Sequence, residues 1–174
     1  MTSIRRTPIV VLALLALQAC GWQLRTAPDM SALSALAITG AGHELRHELT
    51  EALGNAGVRV GSSSDWTLAF ERTNWTRRTV ATDARGRAAE RELRLELAWR
   101  LEPAGSDRKT GPKRELTLTR TFQYSPTDAT TSSDEEDLLR ESMYRDAAWQ
   151  ILRQVEATAA RLPLEQGEAD AAAQ

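Results

Sequence analysis

The sequence predicts a two-layer α/β sandwich in which two helices lie on one face of a four-stranded, mainly antiparallel sheet. Three observations support this fold class: two segments have helical periodicity, three consecutive segments alternate as strands do, and a short apolar strand precedes the first helix. The predicted order is strand, helix, three strands, helix, without an internal repeat. When a predicted leader of 19 residues is removed from the 174, the remaining 155 residues are enough for one domain.

The first strand and the first helix are predicted from their apolar spacing. Residues 33–40, LSALAITG, are expected to form a strand that ends at Gly40. Residues 43–57 follow as a helix because their apolar side chains recur at helical intervals, and Gly54 and Gly57 are expected to end it. The apolar stripe of this helix consists of Leu45, Leu49, Leu53 and Ala56.

Three successive strands are expected to form an antiparallel meander. In residues 65–83 the alternation changes phase before Trp75, which indicates a β-bulge in a long strand. The turn DARGRA, residues 83–88, then reverses the chain, and residues 90–102 place apolar side chains on one face and Arg and Glu on the other. That apolar face comprises Leu93, Leu95, Leu97, Trp99 and Leu101. Residues 115–125, rich in Thr and aromatic side chains, form the last strand.

The second helix is predicted to start in the acidic stretch SSDEED. There Ser132 or Ser133 can form a capping box with a glutamate three residues later, and the acidic groups face the positive end of the helix dipole. The stripe expected to pack on the sheet consists of Leu139, Met143, Ala147, Ile151, Val155 and Ala159. Residues 163–174 offer little to bury and are expected to be a disordered tail, so the domain spans residues 20–162.

Residues 1–19 are predicted to be a lipoprotein signal peptide. Arg5 and Arg6 precede an apolar run that is too short to cross a bilayer, and the following LQAC resembles a lipobox, although Gln18 replaces the usual small residue. Cys20 is therefore the expected lipidation site, and its acylation accounts for a single cysteine in an exported chain. Three acyl chains would anchor the protein stably. By resemblance to lipoprotein sorting rules, Gly21 after the cysteine favours the outer membrane.

The first helix begins with the HExxH pattern of zinc peptidases, read as His43-Glu44-Leu45-Arg46-His47. At 100° per residue both histidines point more than about 90° away from the leucine stripe. A zinc site also needs a third protein ligand, and the chain has only two histidines. We therefore expect two solvated histidines and no metal site, with a lipid-anchored zinc peptidase as the alternative.

Composition excludes several other classes of function. Without the leader the chain has 20 basic and 24 acidic residues, a charge of about −4, which gives no support for nucleic-acid binding. The sequence contains no Gly-rich phosphate loop and no Ser/His/Asp arrangement of a hydrolase. We expect a protein that is not an enzyme and carries no cofactor apart from the covalent lipid on Cys20.

Three stretches resemble the lipopolysaccharide-assembly lipoprotein family LptE (RlpB). The opening CGWQLR, residues 20–25, matches the mature start of that family. The strand ending RTFQYSP, followed by an acidic helix start, agrees with it too. Residues 138–155, LLRESMYRDAAWQILRQV, are similar to the C-terminal segment of the family, with matches at Met143, Tyr144, Ala147, Ala148, Ile151 and Leu152.

The resemblance implies an outer-membrane lipoprotein, anchored on the periplasmic side, that forms a heterodimer with the β-barrel LptD. In that role it plugs the barrel lumen, assists barrel assembly and contacts lipopolysaccharide during transport. The resemblance also implies that loop cations meet phosphate groups; the candidates are Arg85 and Arg87 in the turn, with Arg77 and Arg78 nearby. Ordinary solvation of these arginines is an equally good interpretation. An outer-membrane adaptor without a role in lipopolysaccharide transport is a further alternative.

Two positions depart from the family pattern. Ser132 and Ser133 stand where a basic residue is expected before the last helix, so a second phosphate contact there has no candidate. Arg91 stands where an aromatic residue is common.

Overall fold

The computed structural model describes residues 28–31, 33–105 and 111–159. The elements are β1 (Ala35–Thr39), α1 (His43–Asn55), β2 (Arg59–Val60), β3 (Trp66–Thr82), β4 (Ala88–Pro103), β5 (Arg114–Gln123) and α2 (Ala129–Ala159). The strands form one sheet in the order β2-β1-β3-β4-β5. The predicted two-layer α/β class and the order of its main elements are confirmed, with one strand more than expected.

The additional strand, β2, follows α1 directly. It pairs in parallel with β1, Ala35 opposite Arg59 and Leu36 opposite Val60, while β1 also runs parallel to β3. Two residues carry no periodicity, so the sequence could not reveal this strand. The prediction that Gly54 ends the helix was wrong, since Gly54 lies inside α1; Gly57, with φ of +79°, lies where the chain turns toward β2.

The antiparallel part of the sheet contains the predicted bulge. Phe70 pairs with Trp99 and Arg72 with Ala98, so Glu71 is the extra residue of β3, and Trp75 comes to lie opposite Leu95 on the apolar face. The change of phase before Trp75 is thereby confirmed.

The end of β1 packs tightly on this bulge. Gly40 has φ of +71°, and a Cβ atom added there would lie 2.2 Å from the carbonyl oxygen of Phe70. Only glycine fits this approach of two backbones.

The core lies between the sheet and the two helices. Every second residue of β4 from Leu93 to Leu101 is buried, as predicted. The helices bury Leu45, Leu49 and Leu53 of α1, and Met143, Ala147, Ile151, Val155 and Ala159 of α2. A fully buried leucine stabilises a fold by about 1.5–3 kcal/mol, so these stripes fix both helices on the same face of the sheet.

The start of α2 corrects a prediction. The helix begins at Ala129, three residues before Ser132, so Ser132 and Ser133 do not cap it. Asp128 accepts a hydrogen bond from the backbone N–H of Thr131 at 3.4 Å instead. The Ser132 hydroxyl donates to the carbonyl of Asp128 at 3.0 Å and accepts from the backbone N–H of Ser125 at 3.1 Å, tying the helix start to the end of β5.

Several predictions fall outside the described residues. These are the signal peptide of residues 1–19, the lipidation site Cys20 and the tail of residues 163–174. Within the described part of the chain, no helix is both long and apolar enough to span a membrane.

Candidate functional site

The β3–β4 hairpin ends in a turn that one carboxylate organises. Asp83 Oδ1 accepts hydrogen bonds from the backbone N–H groups of Arg85 and Arg87 at 2.8 and 2.9 Å, and Gly86 has φ of +76°. The Nε of Arg87 donates to Asp83 Oδ2 at 2.8 Å. The hydrogen bonds from Arg87 to Asp83 lower the pKa of that carboxyl. The turn is therefore an ordered platform for two arginines.

The two arginines of the turn differ in what their side chains do. Arg87 is engaged by Asp83 in an ion pair, with 2.8 Å between Arg87 Nη2 and Asp83 Oδ2. The exposed side chain of Arg85 has no partner among residues 28–31, 33–105 and 111–159. Arg85 is thus the candidate cation whose donors all remain available to an external anion.

The other two candidate arginines lie on opposite faces of the sheet, because successive side chains of a strand alternate. Arg78 pairs across the strands with Glu92, the Arg78 Nε donating to Glu92 Oε1 at 2.6 Å, and this bond lowers the pKa of Glu92. Arg77, opposite Leu93, points to the helix layer and reaches Glu136 of α2. The four predicted arginines therefore do not form one continuous surface.

Arg77 is part of a compact cluster between β3 and α2. Glu136 is a buried residue, 7% exposed, and its carboxylate accepts hydrogen bonds from Arg77 Nη1 at 3.0 and 3.3 Å and from Arg140 Nη2 at 2.8 Å. Burial by itself would raise the pKa of Glu136, but the hydrogen bonds from both guanidinium groups outweigh it and lower that pKa. Glu136 is thereby held ionised.

Two aromatic rings extend this cluster. Trp75 Nε1 donates to the Tyr144 hydroxyl at 2.7 Å, and the two rings meet edge to face with 5.4 Å between centroids. The Arg140 guanidinium carbon lies 5.0 Å from the centroid of the Trp75 ring. We call the set Trp75, Arg77, Glu136, Arg140 and Tyr144 the β3–α2 junction.

Sequence reasoning did not find this junction. The change of phase before Trp75 predicted a bulge but no partner for that residue, and Glu136 was one of two glutamates that could form a capping box. The spacing of Glu136, Arg140 and Tyr144 at intervals of four residues is the signal that marks them as one ridge of α2.

Arg91 has a partner that the sequence did not suggest. Its guanidinium carbon lies 3.3 Å from the centroid of the Tyr124 ring, just beyond β5. The backbone N–H of Tyr124 donates to the carbonyl of Ala89 at 2.9 Å, which holds the ring beside the hairpin. Position 91 thus carries a cation stacked on a neighbouring aromatic ring.

The face of the sheet away from the helices is polar across β3, β4 and β5. Most of its charges are neutralised within the face, as in the pairs Arg78–Glu92 and Arg94–Glu96 and in Arg72, which meets Glu115 from two strands away. Threonines fill much of the remainder, namely Thr76, Thr117, Thr119 and Thr121. We call this surface the open sheet face.

The two histidines lie at the rim of a groove of about 710 Å³ between α1 and α2. His43 and His47 are exposed, and the groove is also lined by Glu44, Asp137 and Arg145. No group of three or more His, Cys, Asp or Glu side chains in the described segments is arranged to hold a metal ion. This geometry offers no support for the zinc peptidase alternative.

The chain is similar to a known protein family over most of its length. The sequence model of the family described as LptE, Lipopolysaccharide-assembly, matches residues 27–155. No curated protein matches the chain significantly.

Several solved structures share this fold. The solution NMR structure of an uncharacterized lipoprotein B from Nitrosomonas europaea is 25% identical, with a TM-score of 0.64 and coverage of 80% of this chain and 93% of that one. The crystal structure of a minor lipoprotein from Acinetobacter baumannii is 24% identical, with a TM-score of 0.61 and coverage of 72% and 92%. For the rare lipoprotein B from Shewanella oneidensis the values are 22%, 0.63, 74% and 97%. The shared architecture therefore extends over almost the full length of each relative.

Proposed function

Because the chain belongs to the lipopolysaccharide-assembly family LptE, we propose that it is an outer-membrane lipoprotein that occupies the LptD β-barrel and contacts lipopolysaccharide on its way to the surface. The observation that carries this proposal is the family match over residues 27–155, which spans the sandwich from before β1 to the last turns of α2. That match also confirms the resemblance drawn from the sequence. It speaks against an adaptor unconnected with lipopolysaccharide.

The open sheet face supports the barrel as partner. The lumen of a large outer-membrane barrel is lined by polar groups and water, so a plug needs a surface that stays hydrated and carries little net charge. Arg72, Arg78 and Arg94 on this face each have a carboxylate partner within the sheet. A surface of this kind can contact polar lumen walls without burying an unpaired charge.

The hairpin tip supports the contact with lipopolysaccharide. Phosphate groups are bound most strongly by guanidinium donors that have no internal acceptor, and Arg85 meets this condition. Arg87 lies two residues away in the same ordered turn. Arg78 and Arg77, already engaged by Glu92 and Glu136, have a smaller part in this proposal.

The remaining parts of the proposal concern the anchor and the absence of catalysis. Acyl chains on Cys20 would hold the protein on the periplasmic side of the outer membrane. The protein would act by binding and shape, without a cofactor and without a catalytic centre. Replacement of Cys20 by Ala should prevent incorporation of labelled palmitate; labelled mature protein from that variant would contradict the anchor.

The test of the barrel partnership is co-purification. When the full chain is expressed with an affinity tag together with LptD, the two proteins should be recovered in equimolar amounts after detergent extraction. A matched preparation of the His43→Ala and His47→Ala double variant should recover the same amount, because both histidines lie at the rim of the α1–α2 groove, whereas the proposed barrel contact is the open sheet face on the other side of the sheet. Absence of the barrel from the wild-type preparation would reject the plug.

A further inference from the structure

The β3–α2 junction contains a buried carboxylate, Glu136, which takes no part in the contacts proposed for the hairpin tip. Glu136 uses both of its carboxylate oxygens: Oε1 accepts from Arg77 and Arg140, and Oε2 accepts from Arg77 at 3.0 Å. Burying a carboxylate is unfavourable unless such partners compensate for the lost water. One carboxylate thus joins Arg77 of β3 to Arg140 of α2.

The β3–α2 junction joins the helix to the strand at two neighbouring residues of β3. Glu136, Arg140 and Tyr144 form one ridge of α2, and Trp75 and Arg77 are successive residues on one face of β3. The ridge therefore holds the strand at two neighbouring points, by Trp75 to Tyr144 and by Arg77 to Glu136. These two contacts hold the direction of the hairpin relative to α2, in addition to the pairing of β3 with β4 and of β4 with β5 within the sheet.

The second of these points lies where the hairpin leaves the helix layer. Arg77 stands five residues before the end of β3 at Thr82, and the turn with Arg85 and Arg87 follows. At about 3.3 Å per residue those five residues extend the hairpin by at most roughly 17 Å beyond the contact with Glu136, since the register is irregular between Thr79 and Thr82. A small change of direction at Arg77 thus becomes a large displacement of the turn.

We propose that Glu136 is a positioning residue that fixes the direction of the β3–β4 hairpin against α2 and so determines where Arg85 and Arg87 are presented. Its effect on lipopolysaccharide binding rests on the proposed function; its effect on the hairpin does not.

The chain offers a second ion pair between sheet and helix, in the same row of the sheet, as a control. Arg77, Leu93 and Arg120 lie side by side on β3, β4 and β5, and Arg120 reaches Asp146 of α2 at 2.8 Å. The Arg120–Asp146 pair therefore also joins the sheet to α2, but from β5, which is not a strand of the hairpin. Asp146→Asn removes that pair and leaves the junction in place.

The experiment compares hydrogen exchange in the full-length wild-type chain, Glu136→Gln and Asp146→Asn. Glu136→Gln keeps the size of the side chain, and amides of residues 78–92 should exchange about threefold to tenfold faster, because the hydrogen bonds to the carboxylate that hold the hairpin against α2 are weakened. Asp146→Asn should leave those amides at the wild-type rate. Affinity for purified lipopolysaccharide should fall by a similar factor in Glu136→Gln only. The charge exchange Arg77→Glu with Glu136→Arg should restore slow exchange.

Each result decides the proposal. Wild-type exchange of the hairpin in Glu136→Gln overturns it, as does a charge exchange that folds but leaves the hairpin exchanging fast. Faster hairpin exchange with unchanged affinity upholds the positioning role and counts against the lipopolysaccharide contact at Arg85 and Arg87. If Glu136→Gln does not fold, Arg77→Gln gives the same test, because it removes the ion pair and leaves Glu136 bound by Arg140.

Discussion

The two faces of the β3–β4–β5 sheet use charged residues in different ways. On the helix-facing side, Arg77 and Arg120 find carboxylate partners in α2, across the two layers. On the open sheet face, Arg78 and Arg94 pair with carboxylates of the sheet itself. Charges on the first face fix the tertiary arrangement, while charges on the second neutralise each other and leave the surface available to a partner.

The largest effect should come from placing a charge on the apolar face. Leu97→Asp puts a carboxylate at a fully buried position in the centre of β4, and an unpaired charge there costs several kcal/mol, on the order of the stability of the whole domain. We expect loss of the cooperative thermal transition in circular dichroism. Thr119→Asp, on the open face beside Arg94, is the control and should change stability by less than about 0.5 kcal/mol. A folded Leu97→Asp variant would show that position 97 tolerates a charge as the open sheet face does, and so is not part of a buried apolar face.

The next largest effect should be a loss of lipopolysaccharide affinity, without a change in the fold, when the turn of the hairpin is altered. Arg85→Glu with Arg87→Glu removes the charge-assisted contact of Arg85, worth about 1.5–3 kcal/mol, and reverses the charge of the neighbouring Arg87, so lipopolysaccharide affinity should fall at least about tenfold. The exposed turn contributes little packing, so circular dichroism and recovery of the barrel should not change. Titration calorimetry at low salt measures the affinity. Wild-type affinity in this variant would exclude the turn as the phosphate contact.

A smaller, graded effect is expected from acid. Three carboxyls of the open sheet face have a pKa below their ordinary value of 4.5: Glu92 through Arg78, Glu96 through Asn74 and Arg94, and Glu115 through Lys113. A group whose pKa is lowered by folding stabilises the fold above its ordinary pKa, and this contribution is lost as the pH falls through the lowered value. The thermal midpoint should therefore stay level down to about pH 4.5 and decline below it.

The decline should be shallower in a variant with all three glutamates replaced by Gln. The decline of the thermal midpoint that remains in this variant then comes from carboxyls elsewhere, including Glu136, whose pKa is also lowered. An identical decline in the triple variant would show that the open sheet face contributes nothing to the pH dependence.

The smallest effect should follow the loss of a single pair on the open sheet face. Arg78→Gln breaks the ion pair with Glu92, but the Arg78 side chain is 66% exposed and the pair is screened by salt. We expect a thermal midpoint only slightly below that of the wild type and unchanged protection of the hairpin in hydrogen exchange. A large loss of protection in this variant would mean that pairs within the sheet also direct the hairpin, and the contrast between the two faces would have to be withdrawn.

Much of the fold was predictable because it depends on local patterns. The alternation from Leu93 to Leu101 identified β4 and its buried face, the leucine spacing identified α1, and the change of phase before Trp75 identified the bulge. The predictions failed at β2, at the end of α1, where Gly54 is tolerated inside the helix, and at the start of α2. β2 is too short to carry a pattern, and the start of α2 was misplaced because several residues around Ser132 are equally good caps.

The sequence by itself determined the class of fold, the strand faces and the family, since periodicity and motifs are properties of neighbouring residues. Only the tertiary structure decided which charges meet. Arg77 and Arg78 are adjacent in sequence, yet one is held by Glu136, 59 residues away, and the other by Glu92 across the hairpin. The pairing of distant side chains depends on strand register and on how a helix crosses the sheet, and both are set by the packing of the whole core.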